Sequence, residues 1–102
     1  MPSKAFNDAV TASKQLTKKP DNDELLKLYA YFKQTQQDPP IDKSPAPGTF
    51  DLKGKAKRKA WQKVVDEGMT AQQAEQNYIK LVNEMKDKYG YDPNKQPEAV
   101  GN

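Results

Sequence analysis

From Ser3 to Leu16 the apolar residues Phe6, Ala9, Val10 and Leu16, with Ala12 and Ser13 between them, follow the three- and four-residue steps of an amphipathic helix. Lys18 and Lys19 suit its end, and Pro20 blocks continuation. Asp21 followed three residues later by Glu24 has the pattern of a capping box and predicts a second helix. There Leu25, Leu28, Tyr29 and Phe32 share one face, the clearest periodicity in the chain. Gln37 to Thr49 reads as a long connection, because Pro39, Pro40, Pro45 and Pro47 interrupt any regular helix. Asp51 is placed to cap a third helix with Leu52, Ala56, Ala60, Trp61, Val64 and Val65 as its stripe, ended by Gly68. Thr70 and Gln73 form another capping-box pattern. Ala74, Tyr78, Leu81, Val82 and Met85 mark the inner face of a fourth helix reaching about Lys88. Past Tyr89, Gly90, Pro93, Pro97 and Gly101 punctuate a polar stretch expected to be loosely held. No β-alternation of useful length appears, so the predicted class is all-α, four helices with one long loop after the second.

Composition tightens this picture. The chain has 102 residues with 17 Lys plus Arg against 14 Asp plus Glu, net +3, which is material for one domain. Leu, Ile, Val and Phe number only 16, a level at which disorder competes with folding. The large net charge of a disordered chain is missing, however, and the four periodic stripes favour a lean folded domain. With no Cys there is no disulfide, thiolate nucleophile or Cys-type zinc site; with no His there is no imidazole base. Neither a signal-type apolar run at Met1-Pro2-Ser3-Lys4 nor a span-length apolar stretch is present, and the protein is read as soluble and cytoplasmic.

Two groups of side chains offer chemistry. Lys53, Lys55, Lys57, Arg58 and Lys59 put five cations in seven positions with no acid among them. On a helix Lys53 and Lys57 align with Trp61 at steps of four, an arrangement suited to a multiply charged anion carrying a flat base. A solvated helix face is the other reading of such a run. On the second helix Tyr29 and Phe32 accompany Lys33, with Tyr78 a further ring at an inner position of the fourth. Aromatics at helical spacing are ordinarily core, but an ammonium beside them needs either a partner or a route for its stem to solvent. An anionic ligand would supply the partner.

The run Leu25-Leu26-Lys27-Leu28-Tyr29-Ala30-Tyr31-Phe32-Lys33-Gln34, then Phe50-Asp51-Leu52-Lys53-Gly54-Lys55-Ala56-Lys57, Ala60-Trp61, and Ala74 with Tyr78-Ile79, closely resembles the acyl-CoA-binding protein family. Phe6, Ala9 and the Lys19-Pro20 step fit the same pattern, so the resemblance spans nearly the whole domain. It implies an up-down-down-up four-helix bundle over residues 1–91, with 92–102 as a polar tail. It also implies one long-chain acyl-CoA held in a surface bowl without cofactor, metal or bond-breaking step, in a carrier and pool-forming role. Carried over by position, the ligand contacts are Lys14, Tyr29, Ala30, Tyr31, Phe32, Lys33, Lys57 and Tyr78. Tyr29, Lys33 and Lys57 are expected at the nucleotide 3′-phosphate, with Phe32 and Tyr78 near the adenine and pantetheine end. The implied protein is a monomer that meets acyl-CoA-using enzymes or membranes transiently and binds no nucleic acid. Phe32 stands where the family commonly has Tyr, and Arg58 where an aromatic is usual.

Rival readings are a helical protein-interaction scaffold, a basic nucleic-acid module and an enzyme. Sixteen of the 17 cations are Lys, whereas base readout favours Arg, and the chain has only three Ser with no convincing nucleophile and base pair. If a ligand completes a sparse core, saturating palmitoyl-CoA should raise the melting temperature. At a hundredfold excess over Kd the stabilisation is about 2.7 kcal/mol by mass action. Absence of a shift in scanning fluorimetry contradicts this.

Overall fold

Each of the four α-helices among the described residues opens on a side chain that accepts an amide hydrogen from the first turn, which otherwise has no partner there. In the computed structural model, which describes residues 2–37 and 40–96, the helices are α1 (Lys4–Ser13), α2 (Asn22–Gln36), α3 (Leu52–Asp66) and α4 (Ala71–Tyr89). Ser3 accepts from the Phe6 amide, Asp21 from Glu24, Asp51 from Gly54 and Thr70 from Gln73. At α4 the capping box is complete, because Gln73 Oε1 accepts from the Thr70 amide. At α2 only half of the expected box forms: Glu24 turns instead to the Tyr89 hydroxyl and, at 3.5 Å, to Lys88 Nζ.

Cross-contacts fix the topology. The start of α1 meets α4 where the Ser3 amide donates to Glu75, and past its end Leu16 pairs with Tyr91, so α1 and α4 run parallel. Glu24 at the start of α2 meets Tyr89 at the end of α4, while Gln34 near the end of α2 reaches Met69 just before α4. Those two are antiparallel. Tyr29 faces Lys57 and Gln34 faces Trp61, so α2 and α3 run the same way. The bundle is therefore up-down-down-up and all-α, as the resemblance implies.

Helix α2 separates two cores. On one side Phe6, Ala9, Ala12, Leu16, Leu28, Tyr78, Val82 and Met85 join α1, α2 and α4. On the other, Ala30, Ile41, Trp61 and Val64 join α2 to α3. Ile41 enters from the Pro-rich loop, where Ile41–Lys43 forms a 3₁₀ turn. Pro39 lies outside the described residues.

Three expectations change. The first helix ends at Ser13, not Leu16, because the Lys14 and Gln15 amides tighten the last turn onto Thr11 and Ala12 carbonyls. Leu52 and Ala56, expected in the α3 stripe, are exposed, since α3 packs on α2 through Trp61 and Val64 further along. The polar stretch after Tyr89 is held down as far as Lys95. The Thr17 amide donates to the Gly90 carbonyl and the Asp92 amide to that of Gln15. Gln15 Nε2 donates to the carbonyls of Pro93 and Lys95, at 3.0 and 3.1 Å. Lys95 Nζ donates to the Leu16 carbonyl. Gly90 is required at this junction: its φ is +82°, and a Cβ there would collide with Thr17 Oγ1. Residues 97–102 of the expected tail lie outside the described residues.

Because Gln15 is buried and spans two carbonyls of the docked segment, Gln15→Ala should cost about 1–3 kcal/mol of unfolding free energy. Urea denaturation checks this. An unchanged midpoint would mean that the segment contributes nothing to the fold.

Candidate functional site

Successive residues of a helix turn by about 100°, so Tyr29 and Lys33 share a side of α2, whereas Tyr31 lies about 200° away from Tyr29. Lys57 of α3 places Nζ over the Tyr29 ring, 5.3 Å from its centroid. Lys33 places Nζ over the Trp61 ring at 5.2 Å. Two ammonium groups thus border the α2–α3 seam, each resting on an aromatic face. The ion pairs among the described residues are Lys4–Asp8 and Lys88–Glu24, so neither Lys33 nor Lys57 is met by a carboxylate. Burial pushes the Tyr29 hydroxyl above the ordinary phenol range, with Arg58 opposing the shift. At neutral pH this hydroxyl is un-ionised, and the ring that bears it carries the Lys57 ammonium. Lys14 closes α1 as its C-cap and is half-buried.

The other expected site residues are placed differently. Phe32 and Tyr78 belong to an aromatic trio with Phe6, ring centroids 4.8 to 6.2 Å apart. Tyr78 is only 3% exposed, and its hydroxyl lies 3.4 Å from Ser13 Oγ. Ala30, 1% exposed, has its methyl in the α2–α3 core. Tyr31 packs between the two cores, its hydroxyl pushed up by burial and then by the Glu67 and Glu84 carboxylates, on the side away from Lys57.

Trp61 departs most from the sequence reading, which set it beside Lys53 and Lys57 as a wall for a flat base. It is 2% exposed. Its Nε1 donates to Gln34 Oε1 at 3.0 Å, and Gln34 Nε2 donates to the Met69 carbonyl at 2.7 Å. The ring is a buried strut whose outer surface carries the Lys33 ammonium, so the indole is not a stacking platform for the basic run. Arg58, at a position where the resemblance sets an aromatic, donates from its guanidinium to the carbonyls of Ile41, Ser44 and Pro45 and to Ser44 Oγ, clamping the Pro-rich loop on α3. The five-donor fork of arginine suits such a bundle of acceptors, but sequence spacing gave no sign of it. No group of three or more His, Cys, Asp or Glu able to hold a metal occurs among the described residues.

A family model described as "Acyl CoA binding protein" matches residues 3–82. The acyl-CoA-binding protein homolog 1 of Caenorhabditis elegans is 49% identical over 87 residues, which is 84% of this chain and 95% of that protein. The acyl-CoA-binding protein homolog of Drosophila melanogaster is 44% identical over 89 residues, covering 87% and 99%. Enoyl-CoA delta isomerase 2 of Homo sapiens is 39% identical over 82 residues, covering 80% of this chain but 20% of that protein.

Burial raises the Tyr78 phenol above its ordinary value of 10.0, more than the Ser13 hydroxyl lowers it. The unfolded chain therefore ionises first as pH rises. Stability from this group is complete below pH 10.0 and is lost between the unfolded and the higher folded value. Urea midpoints followed into the alkaline range should fall less steeply in Tyr78→Phe than in the parent. Parallel losses would show that the hydroxyl is not shielded as described.

Proposed function

The chain belongs to the acyl-CoA-binding protein family, and from that premise we propose that it holds one long-chain fatty acyl-CoA thioester non-covalently, as a carrier and pool former. The observation that carries the site is the pair of carboxylate-free ammonium groups, Lys33 and Lys57, beside the Tyr29 hydroxyl at the α2–α3 seam. A phosphate requires charge-assisted donors, and lysines supply them as mobile point charges. In this reading Tyr29, Lys33 and Lys57 hold the 3′-phosphate, and Lys14 reaches the ligand from the end of α1. Phe32 faces the adenine and pantetheine end, with Tyr78 supporting its ring from below. Ala30 and Tyr31 act through packing, by fixing the rotation of α2 between its neighbours.

Burying a sixteen-carbon tail at about 0.8 kcal/mol per methylene supplies on the order of 10 kcal/mol before ordering costs. Tail burial then dominates affinity, and the phosphate contacts set specificity. No step in this scheme breaks a bond, and the thioester leaves as it arrived. The match to the isomerase covers a fifth of that enzyme and brings no activity with it. We place the protein in the cytoplasm as a monomer that passes its ligand to acyl-CoA-using enzymes in transient contacts. Among the described residues no helix is long and apolar enough to cross a membrane.

Isothermal titration should show one palmitoyl-CoA per chain, with CoA and palmitate each much weaker because each makes part of the contact. Equal affinity for palmitate and palmitoyl-CoA, or loss of thioester on incubation, would overturn the reading. Lys33→Ala or Lys57→Ala should weaken binding by about 1.5–3 kcal/mol with the circular dichroism spectrum retained. Full affinity in both variants refutes the phosphate assignment.

A further inference from the structure

In the whole sequence one Ser or Thr is followed by Pro, and it is Ser44, in the loop between α2 and α3. A proline holds the residue before it to extended backbone, and Ser44 accordingly has φ −81° and ψ 146°. Pro45 and Ala46 are exposed and Ser44 is half-buried. The Ser44 hydroxyl donates to the Ile41 carbonyl at 2.8 Å and accepts from Arg58 Nη1. Arg58 also lines a shallow cleft with Pro47, Lys55, Lys59 and Gln62. No carboxylate is part of that lining, and the Lys59 side chain makes no hydrogen bond or ion pair among the described residues. A neutral hydroxyl thus stands at the edge of a cluster of three cations. The charge of Arg58 reaches on to the α2–α3 seam, where it opposes the rise that burial imposes on the Tyr29 hydroxyl.

We propose that Ser44 is a phosphorylation site for a proline-directed protein kinase, and that its phosphate, held by Arg58 with Lys55 and Lys59 of the cleft, lowers the affinity for acyl-CoA. The second half rests on the carrier reading above. In the modification Ser44 Oγ attacks the γ-phosphorus of ATP. The Oγ–P bond forms as the bond from that phosphorus to the β–γ bridging oxygen breaks, ADP leaves, and the hydroxyl proton passes to the kinase's carboxylate base. Prolines deprive this loop of a backbone ladder, so a side-chain clamp is what has to open for the kinase. The product carries close to two negative charges. It meets an arginine already in contact with its ester oxygen, and a guanidinium grips phosphate through paired N–H groups. The ester oxygen no longer donates to the Ile41 carbonyl, but that acceptor keeps Arg58 Nη2 at 3.0 Å and the Ser44 amide at 3.2 Å. The loop therefore stays seated. A dianion there offsets the field that Arg58 extends toward Tyr29 and repels the phosphates of the ligand. Kd should rise roughly threefold or more at physiological salt, and by less as added salt screens the charges.

Treatment of the full chain with a cyclin-dependent or mitogen-activated kinase and magnesium ATP tests this, read by mass spectrometry, phosphorus NMR and palmitoyl-CoA titration. Expected is a single phosphoryl group, mapped to Ser44 and missing from Ser44→Ala. The phosphate's second ionisation should lie below that of free phosphoserine and return toward it in Arg58→Gln. The phosphorylated chain should bind palmitoyl-CoA roughly threefold or more weakly than the unmodified one, while kinase-treated Ser44→Ala keeps the parental affinity. An unlabelled Ser44, a phosphate that titrates like free phosphoserine, or an unchanged affinity overturns the proposal. If the unmodified chain binds no palmitoyl-CoA, the carrier reading fails and takes the affinity effect with it, whereas labelling and the phosphorus titration still confirm or refute the site.

Discussion

The bundle depends on the buried bridge from Trp61 through Gln34 to the Met69 carbonyl. One amide side chain on α2 accepts from α3 and donates to the segment entering α4, so three elements are set by a single polar group with both ends satisfied. A buried amide of this kind tolerates little displacement, because any shift strands an indole N–H or a carbonyl in a place water does not reach. Neighbouring residues inherit that precision. Lys33 precedes Gln34 in sequence and lies over the indole, and Lys57 is one turn before Trp61.

Helix α2 has core on two sides and retains one open side, where the basic and aromatic groups gather. The Phe6, Phe32 and Tyr78 rings fill one core and the indole fills the other. What remains between them is a strip bearing Tyr29 and Lys33, faced by Lys57. Lysines held over rings, with no carboxylate opposite, leave unused attraction for an anion.

The connections are secured by side chains reaching backbone carbonyls. Arg58 does this for the Pro-rich loop, where prolines supply no amide hydrogens for a ladder. Gln15 and Lys95 do it for the stretch after α4. Ile41, the loop's apolar residue, sits in the α3 core beneath the arginine clamp. A long connection and a terminal segment thereby become parts of the folded body, which offsets the scarcity of aliphatic residues.

Helix number, the capping oxygens of Asp21, Asp51 and Thr70 and the inner face of α4 were determined by sequence alone, because they rest on local rules: spacing, a capping oxygen, a proline that cannot continue a helix. The family resemblance was also legible, being carried by residue identity in order. The tertiary structure alone decided which of two nearby tyrosines, both half-buried, meets α3 at Lys57. Tyr29 and Tyr31 look alike in a list, yet only one shares a side with Lys57. It likewise turned Trp61 inward, left Leu52 in water and set Arg58 on the loop. Each outcome depends on where a second helix lies, and the physical reason is that periodicity describes one helix at a time, whereas burial is a property of pairs.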